Sequence, residues 1–292
     1  MSMFMNLLIS GLVLGGIYGL IALGYSLIYK ASGLMTFTQG DIMTLGAFLG
    51  ITFYHTLGLP FPIALAITVL IAFAFGMLLE KGIIRQLQKK NVMPIYVVLA
   101  TIAVSYIIQN GTQRIWGTIT LYFPAVFGVS TIKVLGLNVQ PEALLCVVLS
   151  LVCMLILHFF MTKTKFGTAM RASSMDPMAA RSCGINTSMT TGITWGLAAG
   201  LAAIGGVLIG PMYGVYSTLG SVIGNKGYSG AIIGGYGNMY GAMVGGMLLG
   251  LAETFLAGYV SSTYKNLMAY IILLAFLFLK PTGLFNERAI AD

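Results

Sequence analysis

Charge is scarce in this chain. Of its 292 residues only 8% are charged, with seven Asp and Glu against fifteen Lys and Arg. Soluble domains carry about 25% charged residues, so a water-soluble globule is excluded. Cysteine is nearly missing as well. Cys146, Cys153 and Cys183 make an odd count with no CxxC and no Cys/His spacing, which excludes a disulfide framework and a cysteine metal centre. Cys146 and Cys153, seven apart in one apolar run, read as small lipid- or core-facing residues. There is no GxxxxGK[ST] loop to cradle ATP and no HExxH zinc motif. His55 and His158 sit near the ends of apolar runs, where interfacial placement explains them. No Ser/His/Asp grouping supports nucleophilic catalysis, so we expect no catalytic residues and no metal site.

What is present is apolar: 58% hydrophobic residues and a mean hydropathy of +0.94. A membrane-crossing helix needs roughly 20 mostly apolar residues. That ruler predicts spans near 4–29, 38–56, 61–80, 93–111, 141–161, 188–210, 240–258 and 264–280, with a shorter ninth at 221–238. The first six residues carry no Lys or Arg and the apolar run then outlasts a signal peptide's core, so the first span is read as retained. Alternating segments of a β-barrel are not seen. The expected fold is an all-α polytopic membrane protein of about 8–9 transmembrane helices, one domain over 1–292, containing a short Gly-rich span and a cytoplasmic helix.

Basic residues orient it, because Lys and Arg collect in cytoplasmic loops. Lys81, Arg85, Lys89 and Lys90 form one cluster, Lys163, Lys165, Arg171 and Arg181 another, and Lys280 and Arg288 mark the tail. All three are assigned to the cytoplasm, which puts 111–140 and the N-terminus outside and requires 221–238 to cross. This rule also accounts for the net charge of +8 without nucleic acid.

The 38 glycines recur at small-xxx-small spacing, as in Gly11/Gly15/Gly19, Gly46/Gly50, Gly230/Gly234 and Gly246/Gly250, which allows close helix contact in lipid. Gly224, Gly227, Gly230, Gly234, Gly235 and Gly237 crowd one span, and we expect irregular backbone there; such backbone must line a cavity or be buried in protein. A polar, Gly-rich counterpart occurs at 33–50, and paired interrupted segments point to an internal repeat with the pathway between them. The expected pathway residues are therefore Thr36, Gln39, Gly40, Ser229, Gly234, Gly235 and Tyr236. Glu253, the one acid well inside a span, is expected to be a structural partner for another helix or for Lys226 or Lys265.

The polar segment 163–186, KTKFGTAMRASSMDPMAARSCGIN, is punctuated as two short helices. Asp176 can cap free N–H groups, Pro177 suits a first helical position, and Gly184 can end the second helix in a left-handed cap. A mere connector needs no such capping, so a docking helix for a cytoplasmic partner is expected.

At these residues the chain resembles the permease subunits of branched-chain amino acid ABC importers, specifically the shorter of the two permeases. The matching stretches are GGIYGLIALGYSLIYKASGLMTFTQGDIMTLGAF at 15–48, FGTAMRASSMDPMAARSCGIN at 166–186, GGYGNMYGAMVGGMLLGLAE at 234–253 and KPTGLF at 280–285. The resemblance implies a pathway shared with a second, similar permease in a homo- or heterodimer, two cytoplasmic ABC ATPase subunits, an extracytoplasmic substrate-binding protein, and a bacterial or archaeal cytoplasmic membrane. It implies no cofactor on this chain, with ATP and Mg²⁺ on the partners. Phe166, Gly167, Arg171, Asp176, Pro177, Ala179, Ala180 and Gly184 would then couple to the ATPase. Where the family often has Asn-Phe-Ala-His-Gly this chain has Thr36-Phe37-Thr38-Gln39-Gly40, and Lys226-Gly227-Tyr228 stands where Lys-Ala-Phe is common. The implied cargo is a branched-chain or other aliphatic amino acid; related permeases carry urea, amides, simple sugars or nucleosides. A stand-alone secondary carrier would need a relay of intramembrane charges that the chain lacks.

The orientation has a direct test. With an impermeant thiol reagent added outside, a cysteine at Ile119→Cys, in a background without native cysteines, is modified, and Cys183 in the native chain is spared. Labelling of Cys183 from outside reverses the orientation.

Overall fold

The computed structural model describes residues 2–90, 92–124, 126–127, 131–134 and 137–285; Arg288 lies outside them. The chain is a helical membrane bundle. Helix α1 (Ser2–Ser32) leads through an open stretch to α2 (Gln39–Ile51), which continues as a π-helix over Thr52–Thr56. Next come α3 (Phe61–Leu79), with a π-helical end over Glu80–Ile84, and α4 (Arg85–Lys89). Helix α5 (Pro94–Trp116) precedes a small antiparallel hairpin, β1 (Ile132–Val134) with β2 (Leu137–Val139). Then follow α6 (Pro141–Lys163), α7 (Lys165–Met175), α8 (Pro177–Ser182), α9 (Thr187–Tyr213), α10 (Leu219–Gly234), α11 (Met239–Tyr259) and α12 (Lys265–Leu279). Prolines in the first turns of α3, α5, α6 and α8 explain several of the starts, since the N–H they lack has no partner there anyway.

Six of these helices are long and apolar enough to cross a bilayer: α1, α3 with its extension, α5, α6, α9 and α11. Helices α2, α10 and α12 are shorter, and a count of eight or nine crossings includes them. Helix α10, with 16 residues, is roughly 24 Å long, under the ~30 Å of the hydrocarbon core. Leu70, Leu78, Leu99, Ile107, Leu155, Ile156 and Phe278 are exposed on α3, α5, α6 and α12, the faces available to lipid.

Glycine decides what packs on what. Helix α1 is buried along Val13–Ile28 in the bundle centre and lies against α11 at paired small residues. A Cβ added to Gly246 would sit 2.6 Å from the Gly19 Cα, and one on Gly15 2.9 Å from the Met247 Cα. Helix α10 touches α11 the same way, at Gly230 against the Gly246 Cα (2.7 Å), and α2 at Gly224 against the Gly40 Cα (2.6 Å). The expected irregular span is therefore corrected. Residues 219–234 form one continuous helix, because its glycines are spent on neighbouring backbones rather than on bending its own. The break comes later, at Gly235 and Gly237, whose φ of +108° and +96° suit glycine.

The two ends of the bundle are distinct. At one, Leu121 and Val215 form an isolated antiparallel bridge, Trp116 donates to Thr52 Oγ1 (2.8 Å), and Gln113 donates to Ser217 Oγ (2.9 Å). At the other, Leu284 and Phe285 donate backbone N–H to Ile233 and Gly234, and the Tyr29 and Tyr236 rings lie 4.8 Å apart. Helix α10 runs from the first end towards the second.

Overfilling one glycine contact tests this packing. Gly246→Leu is expected to destabilise the detergent-solubilised protein by about 1–3 kcal/mol or more, seen as a lower thermal midpoint. Gly111→Ala, where an added Cβ meets nothing within 4 Å, leaves the midpoint unchanged or raises it.

Candidate functional site

The segment 163–186 forms a braced elbow. Thr164 Oγ1 accepts from Gly167 N (3.0 Å) to start α7, and Asp176 Oδ1 accepts from Met178 N (2.8 Å) and Ala179 N (3.0 Å) to start α8. Gly184, with φ +80°, closes α8, and Ile185 N returns to Ala180 O (3.0 Å). Asn186 Oδ1 then caps α9 through Met189 N (3.1 Å). Two contacts fix the elbow to the bundle: Thr190 Oγ1 with Ser173 Oγ (3.1 Å), and Gly167 against the last turn of α6. Gly167 and Ala180 are buried, whereas Phe166, Arg171, Asp176, Pro177, Ala179 and Gly184 are exposed. At the corner, Met175 and Met178 are 81% and 80% exposed. Beside it is a cavity of about 670 Å³ bordered by Glu80, Arg85, Lys89, Ser173, Arg181 and Thr187 among others, so the basic loops share one end of the bundle. Arg85 joins Glu80 at 2.5 Å and donates to Ser188 O (2.8 Å), tying α3 to α9.

Deeper in the bundle, the first turns of α2 and α10 meet through Gly40, Gly220 and Gly224. They do so level with the middles of α5 and α9, since Asp41 bonds Ser105 and Gln39 Nε2 donates to Ala198 O (2.5 Å). A cavity of about 380 Å³ opens here, with Asp41, Ser105, Gln109, Ser221 and Asn225 as polar lining and Phe37, Ile102 and Tyr106 as apolar walls. Of the pathway residues expected from sequence only Gly40 borders it. Thr36 pairs with Thr38 (2.8 Å), Ser229 donates to Asn225 O (2.9 Å), and Gly234 packs on Gly241. Gly235 approaches Phe285. The two Gly-rich segments are still linked, by rings: Phe37 to Tyr228 at 5.3 Å and Tyr228 to Tyr236 at 5.4 Å. Asp41, Ser105, Gln109 and Asn225 were missed because no local pattern marks them as a group: they lie on α2, α5 and α10, and only the acid next to Gly40 offered a signal.

Glu253 on α11 is wholly buried and lies 2.6 Å from Lys226 Nζ on α10 and 3.6 Å from Lys265 Nζ on α12. Lys226, 4% exposed, also faces the Tyr18 ring of α1 at 5.8 Å. One carboxylate thus joins three helices and touches a fourth. Among the described residues no group of three or more His, Cys, Asp or Glu could hold a metal ion.

Residues 7–277 match a family model described as branched-chain amino acid transport system / permease component. The chain is 31% identical over 300 residues to the high-affinity branched-chain amino acid transport system permease protein BraD of Pseudomonas aeruginosa, covering 97% of this chain and 96% of the relative. It is 28% identical over 297 residues to LivH of Escherichia coli, described in the same words, with the same coverage. A solved structure, PsaBC from Streptococcus pneumoniae in complex with Fab, superposes with a TM-score of 0.51 at 14% identity, covering 94% of this chain and 91% of that one, a likeness of fold.

Breaking the buried charge cluster is costly. Glu253→Gln leaves Lys226 unpaired and is expected to lower stability by about 3–5 kcal/mol. The double variant Lys226→Met/Glu253→Leu recovers most of it, because Lys265 can extend towards water. Thermal unfolding of the solubilised variants checks both.

Proposed function

The chain belongs to the branched-chain amino acid transport permease family, as a permease subunit of an ABC importer and not an enzyme, and we propose that with a second, similar permease it forms the pathway for branched-chain or other aliphatic amino acids. It works in the cytoplasmic membrane of a bacterium or archaeon. Two cytoplasmic ABC ATPase subunits hold ATP and Mg²⁺, and an extracytoplasmic binding protein delivers cargo.

The observation that carries this reading is the elbow at 175–178. Two methionines, four-fifths exposed, stand on a doubly capped corner at the basic end of the bundle. Exposed apolar side chains on a rigid polar segment suit a soluble partner, and methionine adapts to its surface. The second permease is supported by the α5–α10 face. There the deep cavity opens beside exposed Asn225 and Tyr106, and polar lining at that depth requires protein or water against it, not lipid. Nucleotide closure shifts the elbow, and the difference in contact energy between the two states drives the pathway from outward to inward access.

Loss of the Asp176 cap costs α8 about 0.5–2 kcal/mol. Asp176→Ala combined with Ala179→Glu is expected to reduce leucine uptake and binding-protein-stimulated ATP hydrolysis severalfold in proteoliposomes, with normal membrane insertion. Uptake at the wild-type rate removes the elbow from the coupling interface.

A further inference from the structure

Three acids are buried among the described residues: Asp41, Glu80 and Glu253. Glu80 is held by Arg85, and Glu253 by two lysines. Among the described residues no cation pairs with Asp41. Ser105 donates to its Oδ2, and its Oδ1, in a residue only 2% exposed, has no hydrogen-bond partner among the described residues. A buried carboxylate without a counter-charge is costly, and a cation from elsewhere relieves that cost.

Its surroundings narrow the choice of cation. Asp41 borders the 380 Å³ cavity between α5 and α10, within the ~300–1,000 Å³ of small-molecule sites. A bare metal ion needs several oxygen ligands in a tight shell, whereas here one carboxylate is followed by the amides of Gln109 and Asn225, the Ser221 hydroxyl and apolar walls. Helices α2 and α10 both begin at this cavity; Asp41 occupies the first turn of α2, and in that of α10 Thr44 Oγ1 accepts from Gly220 N (2.7 Å). The positive end of α10 still favours a carboxylate. Gly40, Gly220 and Gly224 keep both helix starts close to the space.

We propose that the cavity between α5 and α10 is the permease's own half-site for an α-amino acid zwitterion, with Asp41 binding the ammonium group and the first turn of α10, with Gln109 and Asn225, facing the carboxylate. The site rests on the amino acid reading above and adds to it that cargo is checked a second time, inside the membrane, by charge. The apolar walls of Phe37, Ile102 and Tyr106 face the aliphatic side chain. Asp41 is a specificity residue here, and Ser105 positions it.

The test uses the assembled transporter with its ATPase subunits and partner permease. Equilibrium binding of labelled L-leucine is measured without the binding protein. In the wild type, 3-methylbutylamine, which keeps the ammonium group, displaces leucine. Asp41→Asn is expected to weaken leucine binding at least tenfold and abolish displacement by the amine, while Asp41→Glu restores part of both. In proteoliposomes, Asp41→Asn is expected to lose at least tenfold in leucine moved per ATP hydrolysed. Should Asp41→Asn fail to assemble, Asn225→Leu, on the exposed rim, is expected to weaken binding severalfold. The proposal is overturned if Asp41→Asn, or in its place Asn225→Leu, binds leucine like the wild type. It is equally overturned if 4-methylpentanoate displaces leucine and the amine does not, or if a wild type that takes up leucine binds none on the permease. Absence of amino acid uptake by the wild type instead overturns the cargo reading, and the ligand class with it.

Discussion

Backbone contact at glycine is the constraint on which this bundle depends. In lipid, apolar side chains gain nothing by leaving their surroundings, so helices associate through close packing and internal polar contacts. Here α1 lies in the centre with Gly15 and Gly19 against α11, and α10 lies against α11 at Gly230 and against α2 at Gly40. At Gly15, Gly40, Gly230 and Gly246 an added Cβ would lie under 3.0 Å from neighbouring backbone. The large side chains on α3, α5, α6 and α12 contribute less to this choice of neighbours, since many point away from the bundle. Glycine also has a second consequence: it allows α2 and α10 to begin deep in the protein, where their first turns reach the cavity directly.

Much of the architecture was legible in the sequence because it is written in local terms. Span length is a run of apolar residues, and α7 and α8 are set by Thr164, Asp176, Pro177 and Gly184 within a few positions of where they act. Residues 219–234 were misread for the opposite reason. A glycine spent on close packing and one that breaks a helix look alike until the partner is known, and the partners of Gly224 and Gly230 lie on α2 and α11. The cavity was hidden likewise. Asp41, Ser105, Gln109 and Asn225 come from three helices, and only tertiary topology gathers them. Glu253 stood out as an acid in an apolar span, but choosing between Lys226 and Lys265 required three dimensions, and both turn out to contact it.

Helix α9 joins the elbow and the cavity. Its first turn holds the elbow through Thr190 and Ser173, and Arg181 donates to Thr187 Oγ1 (2.9 Å). Its middle accepts, at Ala198, the amide of Gln39, two residues before Asp41 on α2, and Ala203 and Gly206 pack on α2 at Gly46 and Met43. The elbow and the first turn of α2 are thus seated on one element. Packed interfaces of this kind have discrete arrangements and are not continuously deformable, and small residues make sliding between them inexpensive in side-chain rearrangement. In the alternating access proposed above, the α9 contacts that fix α2 in this state are the ones that would exchange as the cavity changes the side to which it opens. Separate hinges for the elbow and the cavity are unnecessary, since one helix bears on both.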